Sequence, residues 1–267
     1  MESPALFVLD RGRYVATALA RGPWNPAHTN GSAALALLAH CLDDVPTLVP
    51  MSLARFTVDL QRAVPVGKPL TVHARVTREG KKLQVSELSL CDGDTECVRA
   101  TALRLRDVDH SGDATIPGST TDDHPALRIT PREKSYNFLG VREEPSGALL
   151  ASDILLAERT DSSASATWIR LHTPVVAGEP IRTTSRMAYA FDFASLVGMT
   201  VDISSVLMIN PDVTAHVLRP MVGEWIALTG ATRIHPALGR GISYAEASDD
   251  LGVFAVVSTS QIVEPRS

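Results

Sequence analysis

The sequence predicts an α+β fold made twice, each half a helix followed by an antiparallel meander of strands. Three observations point there. The 267 residues lie between one and two ordinary domains in length. Short segments alternating apolar with polar residues, the mark of half-buried strands, occur in both halves. The halves also share local sequence. Phe56-Thr57-Val58-Asp59-Leu60-Gln61-Arg62, leading to Val66-Gly67, matches Val213-Thr214-Ala215-His216-Val217-Leu218-Arg219, leading to Val222-Gly223. Val98-Arg99-Ala100-Thr101-Ala102-Leu103 aligns with Val256-Val257-Ser258-Thr259-Ser260-Gln261. Two unrelated meanders with similar turns could match this way, but duplication is the better account.

The elements follow in order. Ser32 to Leu42 is an apolar helical run with Thr29 or Asn30 available as its cap. Arg55–Leu60 and Leu70–Val76 alternate as strands, and Arg78-Glu79-Gly80-Lys81 supplies a turn. The strand from Leu83 changes parity near Glu87, which predicts a bulge there. A fourth strand runs from Val98 to about Arg106, so residues 1–107 form the first unit. Residues 108–125 are rich in Asp, Ser, Thr and Gly and read as a linker. The second unit, 126–267, holds a strand candidate at Ser163–Leu171, a helix at Thr184–Met199, and a second set of strands.

Composition narrows the function. With 45% hydrophobic and 21% charged residues the chain can bury a substantial core. The run Ala33–Ala39 falls short of the roughly 20 residues a bilayer span requires, so no membrane span is expected. Met1-Glu2-Ser3-Pro4 lacks the basic region of a signal peptide, which predicts a cytoplasmic protein. Lys plus Arg number 25 against 30 Asp plus Glu, with no dense basic cluster, which argues against nucleic acid as a partner. Cys41 reads as a buried thiol. Cys91 and Cys97 flank a hairpin-like turn and could be cross-strand neighbours, but zinc-ligand spacings are missing and no metal site is expected.

A few residues could carry chemistry. Met187 to Val197 is apolar on every side of a helix except for Asp192. A buried carboxylate persists where it is hydrogen-bonded structurally or where it works, and the pattern alone allows both. On the last strand Val253, Ala255, Val257, Thr259, Gln261 and Val263 share one face, which turns Gln261 inward. The aligned residue of the first half is Leu103, and Ser32–Leu42 contains no acid, so the polar pair belongs to the second half. Gln261 reads equally as a structural buried amide. Asn210 precedes Pro211, which hides its strand parity and leaves a turn role open. His216 reads as a surface or partly buried imidazole, and Trp225 as a packing aromatic at a strand start. Gly-x-Ser-x-Gly is absent, as are the histidine placements of hydratases, so neither chemistry is expected.

Certain signatures carry a family resemblance. Tyr189-Ala190-Phe191-Asp192, His216-Val217-Leu218-Arg219-Pro220 with Glu224-Trp225, and Ser258-Thr259-Ser260-Gln261 follow one another in the second half. Trp24 and His28-Thr29-Asn30-Gly31 precede the first helix. In order and spacing the chain resembles the acyl-CoA thioesterase II family and its double hot-dog architecture, in which two antiparallel sheets each wrap a long helix and join as one continuous sheet. The resemblance implies hydrolysis of acyl-CoA to free acid and CoA, hence a place in fatty acid metabolism. It implies that Asp192 takes a proton from water while Asn210 and Gln261 hold that water in line with the carbonyl. Asn210 stands where the family commonly has a hydroxyl residue. His28, Asn30 and Gly31 are candidates for substrate or oxyanion binding, and neither metal nor organic cofactor is needed. Sheet edges and faces of such folds pair, so a homo-oligomer is an expectation. A catalytically weak acyl-CoA-binding or accessory protein on the same fold is the alternative.

Overall fold

A computed structural model describes residues 4–116, 136–137, 147–156, 166–198 and 205–266. The first half contains strands β1 (Phe7–Asp10) and β2 (Arg13–Ala16), helix α1 (Gly31–Asp43), and strands β3 (Met51–Leu60), β4 (Pro69–Arg78), β5 (Leu83–Asp92) and β6 (Thr95–Arg106). The second contains β7 (Tyr136–Asn137), the single turn α2 (Gly147–Leu150), β8 (Ser152–Leu156), β9 (Ala166–Leu171) and α3 (Thr183–Phe191). A 3-10 segment (Asp192–Leu196) and strands β10 (Val206–Ile209), β11 (Asp212–Val217), β12 (Ile226–His235), β13 (Arg240–Asp249) and β14 (Gly252–Pro265) complete it. The expected linker is exposed over 107–116, and the rest of it lies outside the described residues. Among the described residues no helix is long and apolar enough to cross a membrane.

Among the described residues every ladder between named strands is antiparallel, and the strands hydrogen-bond in the order β1-β2-β4-β5-β6-β3-β11-β14-β13-β12-β9-β8-β7. The repeated segments meet at its centre, where Thr57 of β3 lies opposite Thr214 of β11. The turn glycines that end the repeat, Gly67 and Gly223, share the same left-handed φ of 76°.

This register corrects the sequence alignment of the last strands. Thr57 faces Thr101 on β6, and Thr214 faces Ser258 on β14. Three residues further along, the partner of Gln261 is therefore Arg104 and not Leu103. A one-residue slip reverses which face a strand residue occupies. Both halves thus turn a polar side chain inward at this position.

Helix α1 forms because its run is apolar and its start is capped: Asn30 Oδ1 accepts from the Ser32 backbone N–H at 3.0 Å. Ser32 through Leu42 are all buried against the sheet. Helix α3 packs antiparallel to it. At the far end of the pair Arg182 donates to the His40 carbonyl at 2.8 Å and to Asp44 at 2.7 Å, and Thr184 donates to Asp43. The second helix is shorter than its apolar pattern predicts. It ends at Phe191, tightens into the 3-10 segment, and is stopped by Gly198 at φ +62°. Met199 lies outside the described residues.

The bulge expected near Glu87 is absent. Gln84, Ser86, Leu88 and Leu90 alternate inward without interruption, and the register shifts fall at Val76/Arg78 and Leu90/Cys91. The parity change read in the sequence came from polar residues facing the core. Gln84 Oε1 accepts from Arg104 Nε at 3.1 Å, and the Arg104 guanidinium reaches the carbonyls of Leu42 at 3.4 Å and Val45 at 2.8 Å. Arg104 therefore gives the Val45 carbonyl a donor and adds a second to the Leu42 carbonyl, which already accepts from the Val45 N–H at 3.0 Å, at the C-terminal end of α1. Replacing Arg104 with Leu should lower stability by about 2–4 kcal/mol, because the Val45 carbonyl and Gln84 Oε1 lose a charged donor. Urea unfolding checks this, and wild-type stability would mean the cap is dispensable.

Candidate active site

A cavity of about 410 Å³ opens where the loop leading into α1 meets the 3-10 segment that follows α3. The first half contributes residues 22–25, 28–31, Ala34 and 60–64, and the second contributes Leu149, Asp192, Phe193, Ser195, Leu196 and the stretch Met208–Asn210. Ala34, Leu60, Val64, Leu149, Phe193, Leu196 and Met208 give it apolar walls. His28, Asn30, Gln61, Arg62, Asp192 and Asn210 supply the polar groups. Trp24 stands on its rim at 42% exposure, with the Arg266 guanidinium 5.0 Å from the ring centre.

Asp192 caps the C-terminus of α3, yet its carboxylate meets the opposite end of the neighbouring helix. Asn210 Nδ2 donates to Oδ1 at 2.7 Å, and the Ser32 backbone N–H in the first turn of α1, which also caps onto Asn30, favours the ionised carboxylate. A helix N-terminus carries partial positive charge and free N–H groups, which suits a carboxylate. Gly31 makes the approach geometrically allowed. A Cβ on residue 31 would lie 2.7 Å from Asp192 Oδ1 and 3.1 Å from Leu60 Cδ1. Among the described residues no Lys, Arg or His forms an ion pair with Asp192. Burial therefore dominates and pushes its pKa up to about 6, against the lowering pull of Asn210 and Ser32.

Asn210 reaches Asp192 because the strand is broken beside it. Both β10 and β11 pair with β14, and between Ile209↔Ile262 and Thr214↔Ser258 the β10–β11 side carries one extra residue. Pro211 cannot donate to the ladder, and the local irregularity turns Asn210 into the cavity.

Five of the six expected site residues line this one cavity: Asp192, Asn210, His28, Asn30 and Gly31. Gln261 does not. It is 2% exposed beneath the 3-10 segment, where Nε2 donates to the Ser195 carbonyl at 3.1 Å and to Ser243 Oγ at 2.7 Å. Period-two reading identifies its face correctly but not its depth. Asn210 bonds the carboxylate itself, a contact the sequence reading assigned to water. Ser32 and Arg62 were missed. The cap at Asn30 was the available signal for Ser32, since the N–H groups following a cap point out of the helix end.

His216 faces outward on β11, exposed. Trp225 lies under the Arg170 guanidinium, 4.9 Å from its ring centre, and is not part of the cavity wall. All three cysteines are free thiols, and the Cys91–Cys97 stretch is the β5–β6 hairpin. Among the described residues no His, Cys, Asp and Glu cluster is arranged to hold a metal.

Residues 20–105 match the family model of the acyl-CoA thioesterase N-terminal domain, and residues 122–263 match that of the C-terminal domain. Comparison with curated protein sequences returns no match. Among solved structures, a candidate thioesterase II from Thermobifida fusca YX aligns at TM-score 0.71 and 15% identity, covering 99% of this chain and 100% of that one. Acyl-CoA thioesterase II TesB2 from Mycobacterium marinum aligns at TM-score 0.65 and 13% identity, covering 97% and 94%. A protein of unknown function with a hot dog fold from Alicyclobacillus acidocaldarius aligns at TM-score 0.64 and 15% identity, covering 97% and 95%. At these identities the structures speak for the hot-dog fold alone.

The contact between Gly31 and Asp192 yields a sharp expectation. Gly31→Ala must displace the carboxylate or the start of α1, and a shift of about 1 Å at a reacting group can cost on the order of a hundredfold in rate. Thioester hydrolysis should fall by that order in a variant with near wild-type melting temperature. Undiminished hydrolysis would show that the carboxylate position is not critical.

Proposed function

Because the chain belongs to the acyl-CoA thioesterase family and is a thioester hydrolase, we propose that Asp192 is the general base that activates water against an acyl-CoA thioester held in the cavity. The observation that carries this reading is the carboxylate itself: buried in the cavity wall, without a cationic partner among the described residues, and raised to about 6. A base titrating there is ionised at neutral pH and stronger than an ordinary carboxylate.

In the proposed reaction Asp192 accepts a proton from water as the oxygen attacks the thioester carbonyl. The tetrahedral intermediate collapses with cleavage of the carbon–sulfur bond, and the proton held on Asp192 passes to the departing thiolate. Asn210 fixes the carboxylate through Nδ2 and keeps Oδ1 as an acceptor for the water. Asn30 and Gly31, at the N-terminus of α1 on the same wall, are the proposed oxyanion side, with His28 contacting substrate. The apolar walls take the acyl chain. At the rim, Arg62 and Arg266 beside Trp24 suit the phosphates and adenine of CoA. The proposed units are residues 1–107 and 126–267, in a cytoplasmic enzyme of fatty acid metabolism that pairs through its sheets.

One observation favours a second reading, a catalytically weak acyl-CoA-binding protein: Gln261 bonds to protein groups away from the cavity and does not join Asp192 and Asn210.

Asp192→Asn separates the two. As the base, Asp192 supplies on the order of a hundredfold or more in kcat, so Asn should remove that with little change in KM. The pH profile of kcat/KM should lose activity on the acid side with an apparent pKa near 6. Stability should move the other way. The folded pKa lies above the ordinary carboxylate value, so the folded protein holds this proton more tightly than the unfolded chain. Its stabilising effect is complete below about pH 4 and is lost as pH rises through about 6, leaving an ionised Asp192 that costs about 3 kcal/mol at neutral pH. Asp192→Asn should therefore raise the melting temperature at pH 7.5 but not at pH 4. Full thiol release by the folded variant would favour the binding protein.

The rim supplies a second test. Combined Arg62→Ala and Arg266→Ala should raise KM for acyl-CoA about tenfold, in a salt-dependent way, while leaving hydrolysis of acyl-N-acetylcysteamine thioesters unchanged. Equal effects on both substrates would remove the CoA assignment.

A further inference from the structure

We propose that Thr232 on β12 and Ser243 on β13 are positioning residues that, with Gln261, clamp the 3-10 segment and so hold Asp192 at the end of α1. This rests on the reading of Asp192 as the base, and it gives Gln261 a different task from orienting water.

The hydrogen bonds run in one direction. Thr232 Oγ1 donates to the Val197 carbonyl at 2.7 Å, which commits its single proton. Ser243 Oγ lies 2.6 Å from Thr232 Oγ1 and must therefore be the donor in that contact. Having given its proton, Ser243 accepts from Gln261 Nε2 at 2.7 Å, and the second Nε2 proton goes to the Ser195 carbonyl at 3.1 Å. Both ends of the chain hold backbone carbonyls of the segment that begins with Asp192. Ser195 Oγ closes the loop by donating to the Asp192 carbonyl at 3.1 Å. Beyond Val197 the segment lies directly on β12, since a Cβ at Gly198 would fall 2.9 Å from Ala231 Cα and from the Gly230 carbonyl oxygen.

Such a clamp answers a physical problem. A short 3-10 turn has poor internal hydrogen bonds, and a buried carboxylate is drawn toward water. Without external anchors the segment would rotate Asp192 outward. Thr232, Ser243 and Gln261 do not line the cavity, so their influence passes through the backbone they hold. Asn210 from the end of β10 bonds Asp192, Tyr189 one turn back on α3 interacts with its charge, and His28 and Arg62 line the same cavity without registering on that charge. From β12, β13 and β14 the segment meets the uncharged Thr232, Ser243 and Gln261.

The test compares Thr232→Val, which keeps the shape and deletes the hydroxyl, with Thr232→Ser, which keeps the hydroxyl. Thr232→Val should lower kcat about tenfold with KM for acyl-CoA within about twofold of wild type. The acid limb of its rate profile should also move to lower pH, because a loosened Asp192 gains solvent. Thr232→Ser should restore both. Ser243→Ala, which breaks the chain one link earlier, provides the same readouts should Thr232→Val fail to fold. A lower melting temperature with wild-type kcat and an unmoved acid limb would reduce the network to packing and overturn the proposal. If wild type itself lacks an acid limb near pH 6, or Asp192→Asn stays active, the base assignment falls and the clamp with it. An acid limb present in wild type but unmoved in Thr232→Val and Ser243→Ala removes only the clamp.

Discussion

The site depends on a carboxylate placed against the N-terminal end of the other half's helix. Asp192 sits at the C-terminus of α3, where the helix dipole disfavours negative charge, and abuts the start of α1, where it is favoured. The antiparallel packing of the two helices makes this contact, and the absence of a side chain at residue 31 lets it close. Neither half alone has both the acid and the helix N-terminus it abuts. The cavity therefore forms where the two halves of the chain meet.

Much of this was legible in the sequence because it rests on local rules. The cap at Asn30, the apolar run of α1, the alternating strands and the repeated segment around Thr57 and Thr214 follow from periodicity and turn chemistry. Asp192 stood out as the lone acid in an apolar run, and the structure places it on the cavity. The first hairpin was also readable but overlooked: Arg11-Gly12, with φ of 48° and 77°, is the two-residue turn that joins β1 to β2. Other features depended on depth and tertiary register. Nothing local places Gln261 beneath the segment and not on the cavity, or makes the Ser32 amide a partner of an acid far along the chain.

The misread parity in β5 and the misaligned partner of Gln261 share one cause. Sequence patterning assumes that inward positions are apolar, and here Gln84, Ser86, Arg104, Ser243, Thr259 and Gln261 all face inward. The pairing shows why they persist. Gln84, Ser86 and Arg104 occupy the positions of Gly241, Ser243 and Gln261 in the other half. Each group lies at the C-terminal end of its own helix and binds carbonyls there: Leu42 and Val45 in the first half, Ser195 in the second. Carbonyls at a helix C-terminus lack intrahelical donors, and in each half an inward polar residue on the last strand supplies one.

Charge then separates the two ends of the helix pair. Where α1 ends, Asp43 accepts from Thr184, the second residue of α3, much as Asp192 meets Ser32, the second residue of α1. There Arg104 lies on the carbonyls and Arg182 stands at the cap of α3, bonded to Asp44; burial raises the Asp43 pKa, and the Thr184 hydroxyl and both cations offset only part of that rise. At the Asp192 end the corresponding residues are neutral: Gln261 replaces Arg104, and the cap is Asn30. Burial thus raises both acids, but guanidinium groups oppose the rise at Asp43, whereas at Asp192 only amides do. The same helix geometry is thus present at both ends, and the end without the two cations is the one whose carboxylate opens onto the cavity.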